Sequence, residues 1–167
     1  LVAWLAAQQG WDCESPEPDL VMMATELRKE FSEEEIWVKD FTGMMAQWNR
    51  LVVRPEVWGY ARGSLLRENE KLHWDENNLK QENLVGNFEK LSGRKFVETD
   101  YNLFNNLCDP IQTGTKINLV SARSGQIRDE CIVGKIAGYW KRGESIFAVY
   151  GRTHVVMLEP ALRKLLV

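Results

Sequence analysis

Apolar residues recur every three to four positions over most of the chain, which predicts helices. The clearest stripe, at positions i, i+3, i+4 and i+7, consists of Leu20, Met23, Ala24 and Leu27. Ser32 followed by Glu35 predicts a capping box and a further helix that extends to about Val52. Taken together, the pattern predicts helices over residues 1–9, 19–31, 32–52, 55–73, 75–91, 125–140 and 155–166.

Two stretches depart from this period and predict strands. Residues 145–150 form an apolar and aromatic run without polar alternation, which is typical of a strand buried on both faces. Gly151 ends this stretch, and residues 11–14 form a possible second, short strand. The sequence therefore predicts a helix-rich α/β fold, with a small, largely parallel sheet and a block of helices inserted between its strands.

The predicted elements form either one domain over residues 1–167 or the C-terminal part of a larger α/β domain. A helical block covers about residues 19–92, and a long loop rich in Asn, Asp, Pro and Gly covers about residues 95–116. A helix–strand–helix unit follows over residues 117–167. The chain begins at Leu1, without Met and inside a helical pattern, so we expect that further residues once preceded it.

Composition excludes several classes of partner. The net charge is −3 with no basic stripe, so we expect no nucleic-acid partner. No apolar stretch approaches the roughly 20 residues that span a bilayer. The three cysteines are far apart and unpaired in pattern, which indicates a reducing, cytoplasmic location. The seven tryptophans are either large core residues or an exposed patch that binds a partner. Whether the chain forms a homo-oligomer stays open.

His154 is the first candidate for chemistry. It follows the predicted strand and Gly151, and ligands of open α/β sheets bind at the carboxyl ends of strands. There His154 serves as a metal ligand or a general base, while Gly151 lets the backbone pass close to a ligand. The simpler explanation is a hydrogen-bonded polar residue at a strand–helix junction.

Acidic residues supply the remaining candidates. Asp129 shares helical spacing with Val133 and Ile136, so it lies on an apolar face and needs a partner such as Arg128 or a metal. Alternatively, acids at this position stabilise a helix N-terminus. Glu17 stands between two prolines on a rigid turn, as a site carboxylate or as a solubilising surface residue.

These residues and motifs resemble the TraB/Tiki superfamily, which includes erythromycin-esterase-like and ChaN-like haem-binding-uptake proteins. The resemblance rests on Glu17-Pro18, on the segment Ile127-Arg128-Asp129-Glu130, and on the run from Arg142-Gly143-Glu144 to Gly151 and His154. It is best over residues 117–162. The resemblance implies an α/β domain in which scattered acidic residues surround one cleft.

The resemblance implies a metal-dependent hydrolase-like activity. Its substrate is a small molecule or a peptide, and the identity of that substrate stays open. Its implied catalytic residues are His154, Glu17, Asp129 and Glu130, which activate water directly or through a divalent metal held by His154 and Glu17. Gly151 and Arg128 are the implied cofactor-binding residues. Two alternatives are a non-catalytic module that binds haem or a metal through His154, and a helical protein-interaction domain.

Overall fold

The computed structural model describes residues 2–165, apart from the side chains of residues 2 and 152–155. Its secondary structure over these residues is helical and contains no β-strand, so the predicted α/β fold with a small sheet is wrong. The chain divides into two compact units. We call Asp19–Gln126 the helical unit, and Leu1–Pro18 together with Ile127–Val167 the terminal unit.

The predicted helices are present, with shifted boundaries. In chain order they are α1 (Val2–Gln8), α2 (Leu20–Leu27), α3 (Glu33–Trp48), α4 (Val57–Leu72), a 3-10 helix (Glu76–Leu79), α5 (Gln81–Ser92), α6 (Tyr101–Cys108), α7 (Lys116–Lys141) and α8 (Arg152–Leu165). The helix predicted from residue 125 begins nine residues earlier, at Lys116. Thr115 caps it there, since its hydroxyl oxygen accepts from the backbone N–H of Asn118 at 3.2 Å.

The core of the helical unit forms around α3, which packs against α4, α5 and α6. Aromatic rings fill the centre, with neighbouring ring centroids 5.5–5.8 Å apart, from Phe41, Trp58, Phe88, Phe96 and Phe104. Rings at this separation gain about 0.5–1.5 kcal/mol per pair beyond the area that they bury. The aromatic cluster therefore fixes how these helices cross.

Side chains satisfy the helix ends in this unit. The predicted capping box is confirmed: the Ser32 hydroxyl accepts from the Glu35 N–H at 3.2 Å, and the Glu35 carboxylate accepts from the Ser32 N–H at 2.9 Å. The buried amide of Asn118 donates to the carbonyl oxygens of Asn106 and Leu107 at 2.8 and 3.0 Å. It thereby satisfies carbonyls at the C-terminal end of α6, which have no partner within the helix.

The predicted loop over residues 95–116 contains α6. Asp100 caps this helix, because its carboxylate accepts from the Leu103 N–H at 3.0 Å. Phe104 and Leu107 then bury its apolar side. The asparagines that indicated a loop lie mainly on the outer side, where helix propensity matters less than packing.

The predicted buried strand over residues 145–150 is wrong: the chain is irregular there, with residues 145–149 exposed and Tyr150 half-buried. Phe147 and Val149 are 79% and 55% exposed. Strand propensity reflects packing on a pleated surface, and the described residues offer no neighbouring strand with which this segment can pair. Residues 11–14, the other predicted strand, are also exposed and irregular.

None of the helices in the described part of the chain combines the length and the apolar character that crossing a membrane requires. The longest, α7, has 26 residues. It carries charged side chains along its length, including Arg123, Arg128, Asp129 and Lys135.

Glu68 on α4 is a carboxyl whose ionised form is destabilised by the fold. Burial raises its pKa to about 7, and the negative charge of Asp40 adds to the increase, while Lys39 and Arg67 oppose it. The folded state therefore retains a proton that the unfolded state has lost. The stability that Glu68 contributes is complete below its unfolded pKa near 4.5 and is lost as the pH rises through about 7.

We expect Glu68→Gln to remove this loss. At pH 8 the variant should be more stable than the wild type by about 1–2 kcal/mol, a value reduced to allow for the half-exposed site. At pH 4.5 the two should agree closely. Urea unfolding at both pH values measures the difference, and Glu70→Gln, an exposed position on the same helix, is the matched control. An equal gain at both pH values would contradict the interpretation.

Candidate functional site

Glu17 and Arg128 form the best-defined polar contact in the terminal unit. Arg128 donates from Nε to Glu17 Oε2 at 2.6 Å and from its terminal nitrogen to Oε1 at 2.7 Å. The pair is bidentate, the geometry that most favours arginine with a carboxylate. The side chains are 37% and 31% exposed, so both are reachable from solvent.

Local sequence explains how the two side chains meet. Glu17 stands between Pro16 and Pro18, which fix its neighbouring backbone in an extended form. Arg128 projects from α7, as the second residue of its terminal-unit part. A stiff turn and a helix therefore hold the pair, and neither partner depends on a flexible loop.

Further contacts tie residues 14–17 to α7 in antiparallel order. Lys135 donates from Nζ to the carbonyl of Ser15 at 3.0 Å and lies 3.9 Å from the Glu14 carboxylate. One turn further along, a hydrogen bond with Glu14 raises the pKa of the Tyr139 hydroxyl. Polar contacts thus connect this short segment to successive turns of one helix.

Tyr150 belongs to the same electrostatic environment. Burial raises the pKa of its hydroxyl, the negative charge of Glu17 adds to the increase, and Arg128 opposes it. Its phenol therefore stays protonated at neutral pH and can donate a hydrogen bond. In turn, the hydrogen bond with Glu17 raises the pKa of Arg128, as do the negative charges of Glu17 and Asp129.

The site residues expected from the sequence lie as follows. Glu17 and Arg128 are in contact, although the sequence offered Arg128 as a partner for Asp129; Asp129 is half-buried and Glu130 is exposed. Gly151 is exposed, and a Cβ added there would meet no atom within 4 Å. It therefore provides no close backbone approach to another described group.

His154 lies in the first turn of α8 and does not follow a buried strand as expected. Its side chain is outside the described part of the structure, so its role as a base or ligand stays a prediction. His73, the other histidine, ends α4 in a left-handed conformation with φ 54°.

Tyr150 is the residue that sequence reasoning missed. The sequence pattern places Tyr150 in the predicted apolar strand, although its hydroxyl gives it a polar tip just before Gly151. A tyrosine in such a position carries a hydroxyl that needs a polar neighbour when it is partly buried. This need for a polar neighbour is the feature of the sequence that points to Tyr150 as part of a polar site.

The side chains that the structure describes include no group of three or more His, Cys, Asp or Glu suited to hold a metal ion. Both oxygens of Glu17 accept from Arg128, so an ion there would have to displace the guanidinium. The arrangement therefore does not fit Glu17 as a metal ligand. Haem ligation by His154 stays a prediction.

Comparison of the chain with protein-family models, with curated proteins and with solved structures finds no match. The TraB/Tiki resemblance accordingly stays a prediction that rests on its short motifs. The contact between Glu17 and Arg128 is observed in this structure and does not depend on the resemblance.

Replacing Glu17 tests how far this pair holds residues 14–17 on α7. Glu17→Gln removes the charge and one of the two strong acceptors, so we expect a loss of about 0.5–1 kcal/mol of unfolding free energy. High salt should reduce the loss, because the pair is partly exposed. Urea unfolding at low and high salt measures both effects. Glu14→Gln is the control, and its effect should be smaller because Glu14 lies 3.9 Å from Lys135 and, among the described residues, makes only a single hydrogen bond, with Tyr139. Equal effects would show that the bidentate contact adds nothing.

Proposed function

We propose that the chain is a helical protein-interaction domain whose terminal unit forms the binding surface. One observation carries the proposal: among described residues this unit exposes nine large apolar side chains and buries only three. The buried ones are Ile127, Ile132 and Leu158. The exposed ones are Trp4, Leu5, Trp11, Trp140, Ile146, Phe147, Val149, Val156 and Met157.

The helical unit has the opposite balance. It buries twenty apolar residues around α3 and the aromatic cluster, including Trp37, Phe41 and Phe88. It also exposes nine large apolar side chains, including Val52 and Val53 on the connection between α3 and α4, so the two units differ in the number that they bury. Scattered exposed apolar residues are normal on a folded protein. What distinguishes the terminal unit is that its exposed large apolar residues outnumber its buried ones by nine to three among the described residues.

Energetics set how much of this surface a partner must cover. Complete burial of one such side chain is worth about 1.5–3 kcal/mol. Covering nine partly exposed side chains is therefore worth on the order of 10 kcal/mol, which is similar to the cost of association at about 4–15 kcal/mol. A partner that binds must cover most of the surface rather than one or two residues.

Photo-cross-linking in the intact chain tests this proposal. Phe147 is replaced by p-benzoylphenylalanine, with the same replacement of Val52 as the matched control, since both positions are exposed and apolar. We expect a discrete adduct of higher mass from position 147 and none from position 52. Failure to form an adduct at 147, or equal adducts at both positions, would contradict an interaction surface on the terminal unit.

A hydrolase of the TraB/Tiki type is the second candidate, because the structure joins two segments on which that resemblance rests. Arg128 from one segment holds Glu17 from the other. A carboxylate bound on both oxygens is a poor base, so Glu17 and Arg128 act here as substrate-positioning residues. Tyr150 donates a hydrogen bond to the substrate oxygen, and His154 accepts the proton of the attacking water.

Hydrolysis of p-nitrophenyl acetate by the intact chain tests the second candidate. We expect His154→Ala to lower the rate by at least about 100-fold, the usual contribution of a general base. His73→Asn is the control, since asparagine tolerates the left-handed backbone at that position. No activity in the wild type, or unchanged activity in His154→Ala, would refute this candidate.

A further inference from the structure

We propose that Ser145–Val149, here called the apolar segment, pairs in antiparallel fashion with the same segment of a second copy. The chain would then be a two-fold symmetric dimer. This inference rests on the proposed interaction surface of the terminal unit and names its partner. It is argued from the backbone of the segment, from its side chains and from the area available around it.

The backbone of the apolar segment has no protein partner among the described residues. The last backbone hydrogen bond before it runs from the Glu144 N–H to the Tyr139 carbonyl at 3.2 Å. From Ser145 to Val149 every N–H and C=O is available to a partner outside the described chain. Such a row of donors and acceptors is a template for strand addition.

The side chains suit a strand in an interface. Ile146 and Val149 are β-branched and Phe147 is aromatic, the residue types that pack best on pleated surfaces. In an extended segment Phe147 and Val149 point to one face, and Ile146 points to the other. Pairing therefore places apolar groups on both faces of the two paired segments.

A second copy is the partner that the observations favour. The described residues contain no strand that could pair with the segment. A second copy carries the same unpaired segment. In a two-fold symmetric dimer, the backbone N–H and C=O groups of each apolar segment can bond those of the other. Glu144, at the start of the segment, is neutralised by Arg142 of its own chain at 2.6 Å, so symmetry does not bring two bare carboxylates together.

The available area matches what a stable dimer needs. A fully exposed aromatic side chain presents about 150–250 Å². The four exposed aromatic residues of the terminal unit therefore offer on the order of 500 Å², and its five aliphatic ones add on the order of 300–400 Å². Stable interfaces bury about 800 Å² on each partner, so this surface suffices only if most of it takes part.

Analytical ultracentrifugation of the intact chain tests the inference directly. At chain concentrations up to about 100 μM, well above a micromolar dissociation constant, we expect a dimer whose fraction rises with concentration. Phe147→Asp places a charge in the paired segment and should weaken the dimer at least about 100-fold. Val52→Asp, at an equally exposed position of the helical unit, should leave it unchanged. A wild type that stays monomeric, or a dimer that survives Phe147→Asp, would overturn the inference.

Disulfide formation tests the strand pairing itself. An antiparallel two-fold pair places one residue opposite its own copy with Cα atoms about 4.5–5.5 Å apart, within disulfide range. Single cysteines at positions 145–149, in a Cys13→Ser background, should therefore give one sharp maximum of cross-linked dimer. A dimer without such a maximum would refute the pairing.

The cross-link at position 147 separates this inference from the proposed function. Two differently tagged copies in one adduct support the dimer. An adduct with another protein, formed by a chain that sediments as a monomer, would overturn the second copy as partner and leave the interaction surface standing. Absence of any adduct would contradict both.

Discussion

Burial of α3 by its neighbours is the packing interaction on which the helical unit depends. Ile36, Trp37 and Val38 are consecutive and all buried, and consecutive helical residues differ by about 100° in direction. Three of them therefore occupy about 200° of the circumference, so α3 must be covered on more than one side. α4, α5 and α6 provide that cover, and their positions follow from it.

The terminal unit is organised by polar contacts instead. Glu17–Arg128 and Ser15–Lys135 connect residues 14–17 to α7, yet each partly exposed contact is worth only about 1 kcal/mol or less. Such contacts determine where a short segment lies without burying apolar area. The apolar side chains of this unit consequently remain on its surface, which is why an interaction function is the simplest account of it.

Sequence reasoning predicted most of the helices because helical hydrogen bonds and apolar stripes are local. It missed α6, where the capping by Asp100 and the burial of Phe104 outweigh several asparagines. It failed for residues 145–150, because a strand needs a partner that local sequence cannot specify. Glu17 and Arg128 were identified separately, but their contact depends on how a proline-fixed turn meets a distant helix.

The two candidate functions share one stretch of backbone, and this constrains how they can be separated. Val149, in the exposed segment, is bonded directly to Tyr150, whose hydroxyl responds to Glu17 and Arg128. Any partner that orders Val149 also restricts the backbone of Tyr150, since two dihedral angles per residue connect them. A substitution at Phe147 therefore reports on the interaction and can disturb the polar site. Glu17 belongs to a different segment, so its variants change the polar site without altering the sequence of Ser145–Val149 and help to separate the two functions.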